Sequence, residues 1–258
     1  MRIITLNCNG IRSAARKGLF DWLPQQDADV LCLQETKAQP SDLESMDVFA
    51  PPGWHRYFNS AQRRGYAGVA VYTRREPDAV HDLLDEAEFD AEGRYLEVRF
   101  GNLSVVSLYL PSGSAGPERQ ASKFRFLECF LPKLRAWSAC GRDIVLCGDW
   151  NIAHTRLDLK NWRSNQKNSG FLPEERAWME QVFAELGWVD AFRSLHPEVE
   201  GEGYTWWSNR GNAWANNVGW RIDYQIVTPT LKPHLVSARV YKDTRFSDHA
   251  PLTVDYAV

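Results

Sequence analysis

The apolar run at residues 144–147 constrains the fold of this chain more than any other segment. It is short, partly β-branched and ended by Gly148, as expected of a strand that is buried on both faces. Asp149 and Asn151 follow directly, where the strand gives way to a loop. Polar side chains there are held by a rigid scaffold yet stay open to solvent, as catalytic groups must be. Taken alone, the pattern favours a simple turn, because Asp and Asn bond readily to nearby backbone.

The same arrangement, an apolar strand with polar side chains at its end or flank, recurs along the chain. It follows the apolar runs at 3–6, 30–33 and 105–108, and it appears twice more near the C-terminus. Six such positions are too many to be turn residues only, and they predict one shared polar site. The polar residues at the five additional positions are Asn7, Asn9, Gln34, Glu35, Tyr109, Asp223, Ser247, Asp248 and His249.

The strand and helix patterns predict an α/β fold with mixed sheets. Strands at 2–6 and 28–33 flank an amphipathic helix at 13–23 that Pro24 ends, which gives a β-α-β unit. Antiparallel strands are predicted in the following segment, where 94–100 and 103–109 form a hairpin that turns at Gly101 and Asn102. A further strand is predicted within 65–73.

Two longer helices are predicted as scaffold. The first covers 117–137, although Pro132 should kink or break it. The second covers 173–186 and stops at Gly187. Between them, residues 160–170 are predicted to form a polar, basic and amide-rich loop, which follows the strand at 144–147 and its polar end.

Length and composition predict one domain over residues 1–258. The chain has 258 residues, 44% of them hydrophobic, and no linker-like or low-complexity tract divides it. Its net charge of −3 counts modestly against a nucleic-acid partner, although charge can be segregated locally. Three basic stretches either contact phosphate or are ordinary solvated surface: residues 63–64, 119–125 and 160–167.

Cysteine usage predicts a reducing environment. The five cysteines include no C-x-x-C pair, and three of them lie in or beside predicted buried strands, so they read as core residues or free thiols. The chain begins directly with a strand and has no apolar run approaching about 18 residues. We therefore expect a cytoplasmic protein with no membrane partner.

Six motifs give the chain a specific family resemblance. It resembles the exonuclease III family of abasic-site endonucleases, within the endonuclease/exonuclease/phosphatase superfamily, and the motifs occur in the family's order over essentially the whole chain. They are L-N-C-N-G-I-R at 6–12, L-Q-E-T-K at 33–37, S-L-Y-L-P at 107–111, G-D-W-N-I-A-H at 148–154, G-W-R-I-D-Y at 219–224 and S-D-H-A-P at 247–251.

The resemblance implies a four-layered α/β sandwich, in which two packed mixed β-sheets are flanked by helices. A coarse duplication agrees with this fold: strand, polar turn and helix in residues 1–24 recur in residues 143–187. The site would then lie at the sheet ends where the two halves meet.

The resemblance also implies roles for the strand-end residues. The catalytic set is Tyr109, Asp149, Asn151, Asp223 and His249, in which Asp223 would fix the imidazole of His249 and raise its pKa. Asp149 would be the base, and donors would stabilise the charged phosphate. Whether Asp149 or a Tyr109 phenolate activates the nucleophile stays open.

A hard divalent cation, Mg²⁺ or alternatively Mn²⁺, is the expected cofactor. A carboxylate such as Glu35 suits Mg²⁺, although Glu35 could instead be a surface residue paired with Lys37. The family's metal-binding glutamate matches Glu35. The candidate metal ligands or neighbours are Asn7, Glu35, Asp149, Asn151, Asp248 and His249.

A second set of residues is expected to bind DNA. Asn165 and Asn168 match family positions near the target phosphate, and Ser112 offers a shorter donor than the amide of relatives. A Trp-rich segment, 204–220, reads as a strand and an exposed loop, and Trp207 reads as ordinary core packing. From this region, the pocket for a flipped-out sugar and its neighbours would use Trp206, Arg210, Trp214, Trp220 and Ile222.

The leading interpretation is a monomeric Mg²⁺-dependent phosphodiesterase that acts on double-stranded DNA at abasic sites and damaged 3′ ends. One alternative is a catalytically silent regulator of the same fold that binds RNA or protein in translational repression. Another is a superfamily phosphatase for phospholipids or other small phosphate esters. A silent regulator would not need its catalytic residues together, and all five are present: Glu35, Asp149, Asn151, Asp223 and His249.

Overall fold

Two six-stranded β-sheets form the centre of the protein in the computed structural model, which describes residues 1–258. A separate two-stranded ribbon is formed by β10 and β11. The strands are β1 (Arg2–Asn7), β2 (Val30–Gln34), β3 (His55–Asn59), β4 (Val69–Thr73), β5 (Ala79–His81), β6 (Tyr95–Phe100), β7 (Leu103–Tyr109), β8 (Asp143–Asp149), β9 (Val189–Asp190), β10 (Trp206–Trp207), β11 (Gly219–Trp220), β12 (Asp223–Val227), β13 (Leu235–Val240) and β14 (Leu252–Tyr256).

Each large sheet contains one parallel pair among antiparallel ones, which confirms the predicted mixed sheets. The first sheet has the order β13-β14-β1-β2-β4-β3, and its parallel pair is β1 with β2. The second has the order β5-β6-β7-β8-β12-β9, and its parallel pair is β7 with β8.

Helices cover the outer faces of both sheets. The longest, α5, packs on the second sheet together with α7, which continues into a π-helical turn at Gln181–Glu185. The first two helices pack on the first sheet. The helices are α1 (Ile11–Arg16), α2 (Leu19–Trp22), α3 (Pro40–Glu44), α4 (Ala87–Asp90), α5 (Pro117–Ser138), α6 (Trp162–Asn165), α7 (Pro173–Glu180) and α8 (Ala191–Leu195).

Alternation along the central strands divides the core into layers. In β7, Val105 belongs to the cluster between the sheets, whereas Val106 packs against the helices outside. Cys32 in β2 likewise faces the other sheet, while Leu31 and Leu33 face the outer helices. Because both faces of these strands are buried, they read as continuous apolar runs. The four-layered sandwich is confirmed.

Three local predictions need correction. The helix predicted at 13–23 is two helices, because Gly18 takes a left-handed conformation (φ 88°) that ends α1 before α2 begins. Helix α5 is continuous through Pro132, so of the predicted kink or break the break is wrong. Its apolar face, including Phe130, is buried against the second sheet, and this packing offsets the lost hydrogen bond. The loop at 160–170 contains the short helix α6.

Two further observations concern the cysteines and the helices. The five cysteines are free, and Cys8, Cys32 and Cys147 are buried. None of the helices combines the length and the apolar character that a membrane span requires.

Candidate active site

The polar strand ends meet at one edge of the sandwich. Strands β7 and β8 run parallel and end side by side at Tyr109 and Asp149, and β12 begins opposite them at Asp223. A cavity of about 830 Å³ opens there. The predicted residues that line it are Glu35, Tyr109, Ser112, Asp149, Asn151, Asn165, Asn168, Trp206, Arg210, Trp220, Ile222, Asp248 and His249.

Asp149 lies at the bottom of this cavity and is almost fully buried. Asn7 donates from Nδ2 to Asp149 Oδ2 at 2.9 Å, and the backbone N–H of Asn151 donates to Oδ1 at 2.8 Å. Burial raises the pKa of Asp149 to about 7, with a further contribution from the charge of Asp223, although His249 opposes the rise. A carboxylate with this pKa can accept a proton near neutral pH.

His249 and Asp223 form a buried pair. Nδ1 of His249 lies 2.8 Å from Oδ2 of Asp223, whose other oxygen has no hydrogen-bond partner. Burial alone would lower the pKa of His249, but the charge and hydrogen bond of Asp223 raise it to about 10. The imidazole is therefore a cation at neutral pH. Its Nε2 lies 3.9 Å from Asp149 Oδ2, too far for a direct hydrogen bond, so this nitrogen can donate into the cavity.

Tyr109 faces the same cavity from the end of β7. Its pKa is raised well above the ordinary value by burial and by the charge of Glu35, and Arg94 only partly offsets this rise. The Arg94 guanidinium lies 4.7 Å from the centre of the Tyr109 ring. The hydroxyl therefore keeps its proton at neutral pH and is a hydrogen-bond donor.

Glu35 and Asp248 lie at the rim and are joined by a chain of polar contacts. Lys37 Nζ lies 3.2 Å from Glu35 Oε1 and donates to Asn9 Oδ1 at 2.5 Å. Asn9 Nδ2 in turn donates to Asp248 Oδ1 at 2.8 Å. The alternative contact of Glu35 with Lys37 is thus present, yet Glu35 also lines the cavity.

The backbone at this rim is unusual. Asn9, Glu35 and Lys37 have φ values of 43°, 52° and 51°, in the left-handed region that residues other than glycine rarely adopt. Such strain is found preferentially at functional sites, where the surrounding structure maintains it.

One group of three donors lies close enough together to hold a divalent cation, and the two rim carboxylates are further candidate ligands. Ligand atoms of Asp149, Asp223 and His249 lie within 4.8 Å of one another. However, a metal-bound imidazole must be neutral, so binding there would require His249 to release the proton that Asp223 stabilises. The rim carboxylates Glu35 and Asp248 offer oxygen ligands, which suit a hard cation better. Asn7 is less free, because its side chain already bonds to Asp149 and to the N–H of Asn9.

Aromatic side chains form one wall of the cavity. Trp206 and Trp220 pair across β10 and β11, with ring centres 6.2 Å apart at 80°, and Ile222 lies beside them. Trp214 is not part of this wall. It packs against buried Trp207, with ring centres 4.4 Å apart, so its contact with DNA stays a prediction.

The opposite wall is polar. Ser112 hydroxyl lies 2.9 Å from that of Ser114, and Asn168 donates from Nδ2 to Asn165 Oδ1 at 2.8 Å. These side chains, with Lys167, present hydroxyl, amide and ammonium groups to the cavity.

Comparison with known proteins identifies the family. The profile of the Endonuclease/Exonuclease/phosphatase family matches residues 4–249. The chain belongs to this family. It is 38% identical over 253 residues to an exodeoxyribonuclease of Bacillus subtilis, covering 98% of both chains. It is also 38% identical over 267 residues to the DNA repair nuclease APEX1 of Danio rerio, covering 100% of this chain and 83% of that one.

A solved structure agrees with this assignment. An AP endonuclease from Archaeoglobus fulgidus superposes with a TM-score of 0.90 and 29% identity, over the full length of both chains. The protein is thus a hydrolase of the exonuclease and AP endonuclease type within the endonuclease/exonuclease/phosphatase family, in which metal dependence is general.

A buried ion pair behind the cavity of this family member was missed by sequence reasoning. Lys123 and Glu175 are fully buried, and Nζ lies 2.6 Å from Oε1. The same ammonium donates to the backbone oxygen of Asn151 at 2.7 Å, and Glu175 accepts the N–H of Gly170 at 2.7 Å. The pair therefore links α5 and α7 to the segment at Asn151 and to the segment at Gly170, both of which line the cavity. Glu175 lies within the helix predicted at 173–186, and no local pattern in the sequence indicates its partner.

A second buried network lies behind the aromatic wall. Arg221 donates from Nε to Asp158 Oδ1 at 2.8 Å and also contacts Asp190, while Arg193 bonds to the same Asp158 oxygen. Burial opposes ionisation of Asp158, but the two arginines hold its pKa well below its usual range. This network fixes Arg221, which lies between Trp220 and Ile222 of the wall. The motif contained Arg221, but its partners are distant in sequence.

Proposed function

We propose that this protein is a Mg²⁺-dependent DNA repair phosphodiesterase that cleaves double-stranded DNA at abasic sites and removes blocked 3′ ends. The observation that carries the proposal is the arrangement around Asp149. A buried base, a protonated His249 and a neutral Tyr109 face one cavity whose far wall is aromatic. The names of the relatives, an exodeoxyribonuclease, a DNA repair nuclease and an AP endonuclease, support this substrate class.

The residues divide the chemistry as follows. Asp149, held by Asn7 and Asn151, takes the proton of the attacking water. His249 and Tyr109 donate hydrogen bonds to the phosphate oxygens as negative charge develops on them. Because the Tyr109 phenol keeps its proton, we assign the role of base to Asp149 and not to a phenolate. Mg²⁺, held by Glu35 and Asp248, would supply neutralisation of the charge on the departing 3′-oxygen.

DNA binding is assigned to the two cavity walls. Asn165, Asn168 and Ser112 would contact backbone phosphates, which neutral amides and hydroxyls do in many complexes. Trp206, Trp220 and Ile222 would enclose the sugar that lacks a base, with Arg210 at the same wall. Such local contacts are compatible with a net charge of −3, because they depend on the cavity and not on the whole surface. The protein would act as a monomer.

The alternatives have weaker support. A silent regulator would gain nothing from a base with raised pKa beside a protonated imidazole, yet both are present. A phosphatase for small esters would not need a wall of two tryptophans on a paired ribbon.

Incubation of the protein with a duplex that contains one abasic site tests the proposal. Incision should occur with Mg²⁺ and stop with a chelator, and it should return on adding Mg²⁺ or Mn²⁺. Intact duplex without the abasic site is the control. Equal incision of both duplexes would contradict the lesion assignment, and incision in excess chelator would contradict the metal.

We assign the preference between internal abasic sites and blocked 3′ ends to Trp206 and Ser112. The bulky indole of Trp206 narrows the pocket more than a phenyl ring would, and the Ser112 hydroxyl has a shorter reach to phosphate than an amide side chain. Removal of blocked 3′ ends should therefore rival or exceed internal incision. Trp206→Phe should shift the ratio toward internal incision, measured on both substrates at one salt concentration. An unchanged ratio would remove Trp206 from lesion choice.

A further inference from the structure

Trp206 contacts the rim carboxylate as well as the pocket. Its indole Nε1 donates to Asp248 Oδ2 at 3.1 Å, while Asn9 donates to Oδ1 of the same carboxylate. The next backbone N–H, that of Trp207, donates to the carbonyl oxygen of Asp248 at 3.1 Å. Both carboxylate oxygens are thus oriented by hydrogen bonds, and one of these bonds comes from the aromatic wall.

We propose that Trp206 is a positioning residue that orients Asp248 for metal binding, so that the pocket wall and the metal site are coupled through one hydrogen bond. The inference rests on the proposed function, in which Asp248 is a metal ligand. Hydrogen bonds to a ligating carboxylate fix its direction, and their loss typically weakens metal binding about 10- to 100-fold. An indole N–H can supply this bond, whereas a phenyl ring at this position would have no donor.

The pairing of β10 and β11 provides a natural comparison. Trp220 lies directly across the ribbon from Trp206 and lines the same cavity. However, the side-chain hydrogen bonds to the Asp248 carboxylate come from Asn9 and Trp206, not from Trp220. Two residues of the same type in one wall therefore differ in their contact with the rim carboxylate.

The bond also couples two ligands. A sugar that enters the pocket and shifts the Trp206 ring changes the orientation of Asp248, and a bound cation that fixes Asp248 restrains the ring. By linkage, each ligand changes the affinity of the other by the same factor. Lesion recognition and metal binding are thereby connected through one hydrogen bond.

Mn²⁺ binding measures this role without catalysis. Free Mn²⁺ is followed by electron paramagnetic resonance during titration of metal-free protein in the absence of DNA. Four proteins are compared: the unaltered chain, Trp206→Phe, Trp220→Phe and Asp248→Asn. We expect about tenfold weaker binding for Trp206→Phe, unchanged binding for Trp220→Phe, and a larger loss for Asp248→Asn. Thermal unfolding of each variant shows that it is folded.

The outcomes separate the inference from the proposed function. If Trp206→Phe binds Mn²⁺ as the unaltered chain does while Asp248→Asn loses affinity, the positioning role is wrong and the metal assignment stands. If Trp220→Phe weakens binding as much as Trp206→Phe, the effect belongs to the wall in general and the specific bond is irrelevant. If Asp248→Asn binds normally, both the inference and the proposed metal ligand fail.

Discussion

Asp149 and Asp248 are two carboxylates of one cavity with opposite environments. Asp149 is the last residue of a central strand and is almost fully buried, and burial raises its pKa to about 7. Asp248 lies at the half-buried rim. Burial also disfavours its charge, but His249 and the hydrogen bonds from Asn9 and Trp206 lower its pKa overall. When their environments move the pKa values of two carboxyl groups apart, the two groups are suited to different chemical roles. Asp149 is suited to proton transfer, and Asp248 to holding a cation.

The largest expected effect tests the buried carboxylate. Asp149→Asn keeps the shape of the side chain but removes the base, so turnover should fall by several orders of magnitude with fold and DNA binding preserved. Single-turnover incision and DNA affinity measure this. Asp143→Asn is the matched control, because it makes the same change at the other end of β8, and it should retain activity. Near-normal cleavage by Asp149→Asn would remove Asp149 from the mechanism.

The next effect concerns the partner of that base. His249 and Asp223 act as one unit, so the double variant should be little worse than the poorer single variant. The measurement is kcat/KM for incision by the two single variants and the double variant. Fully additive losses would show that each residue works separately.

A smaller loss of rate should follow from changes behind the cavity. Lys123→Met leaves the buried carboxylate of Glu175 without its ion-pair partner, which should cost about 3–5 kcal/mol in unfolding free energy. Adding Glu175→Gln should recover most of that stability because no charge remains. Turnover should stay about tenfold low, since Asn151 has lost the donor to its carbonyl oxygen.

Urea unfolding and incision rates separate these two effects. Glu97→Gln is the control, because it removes another buried carboxylate from an ion pair, here with the partly exposed Arg99 on β6, outside the cavity. It should lower stability and leave turnover unchanged. Full turnover in the Lys123→Met/Glu175→Gln protein would limit that pair to a structural role.

The smallest expected effect compares the two carboxylates by the pH dependence of thermal stability. The folded-state pKa of Asp149 is raised, so its stabilising contribution is complete below the unfolded value, near 4, and is lost as the pH rises through about 7. Asp149→Asn should therefore raise the melting temperature by a few degrees at about pH 8 and change it little at about pH 4.

Asp248 should show the opposite sign. Its folded-state pKa is lowered, so its contribution is present above the unfolded value and is lost on acidification. Asp248→Asn should lower the melting temperature at about pH 8. Both scans are run in chelator, and shifts of the same sign would contradict the contrast between the two sites.

The sequence by itself determined the strand-end residues of the site, and its family resemblance implied the layered fold. Continuous apolar runs, typical of strands buried on both faces, are visible in a short window, and so are Asp149 and Tyr109 at their ends. Gly18 was equally visible, and its left-handed conformation ends α1, yet apolar periodicity alone suggested one helix. Local signals thus predict elements well and their exact ends less well.

The tertiary structure alone decided which of these residues touch and what protonation states result. Asn7 bonds to Asp149 across 142 positions of sequence, and Lys123 reaches Glu175 across 52. The burial and the hydrogen-bond partners of a titratable side chain depend on such distant residues. In the protein interior, solvent screens charges less, so each contact has a larger effect on the protonation state. For the same reason, only the packed structure shows that Trp206 reaches Asp248 while Trp214 packs against Trp207.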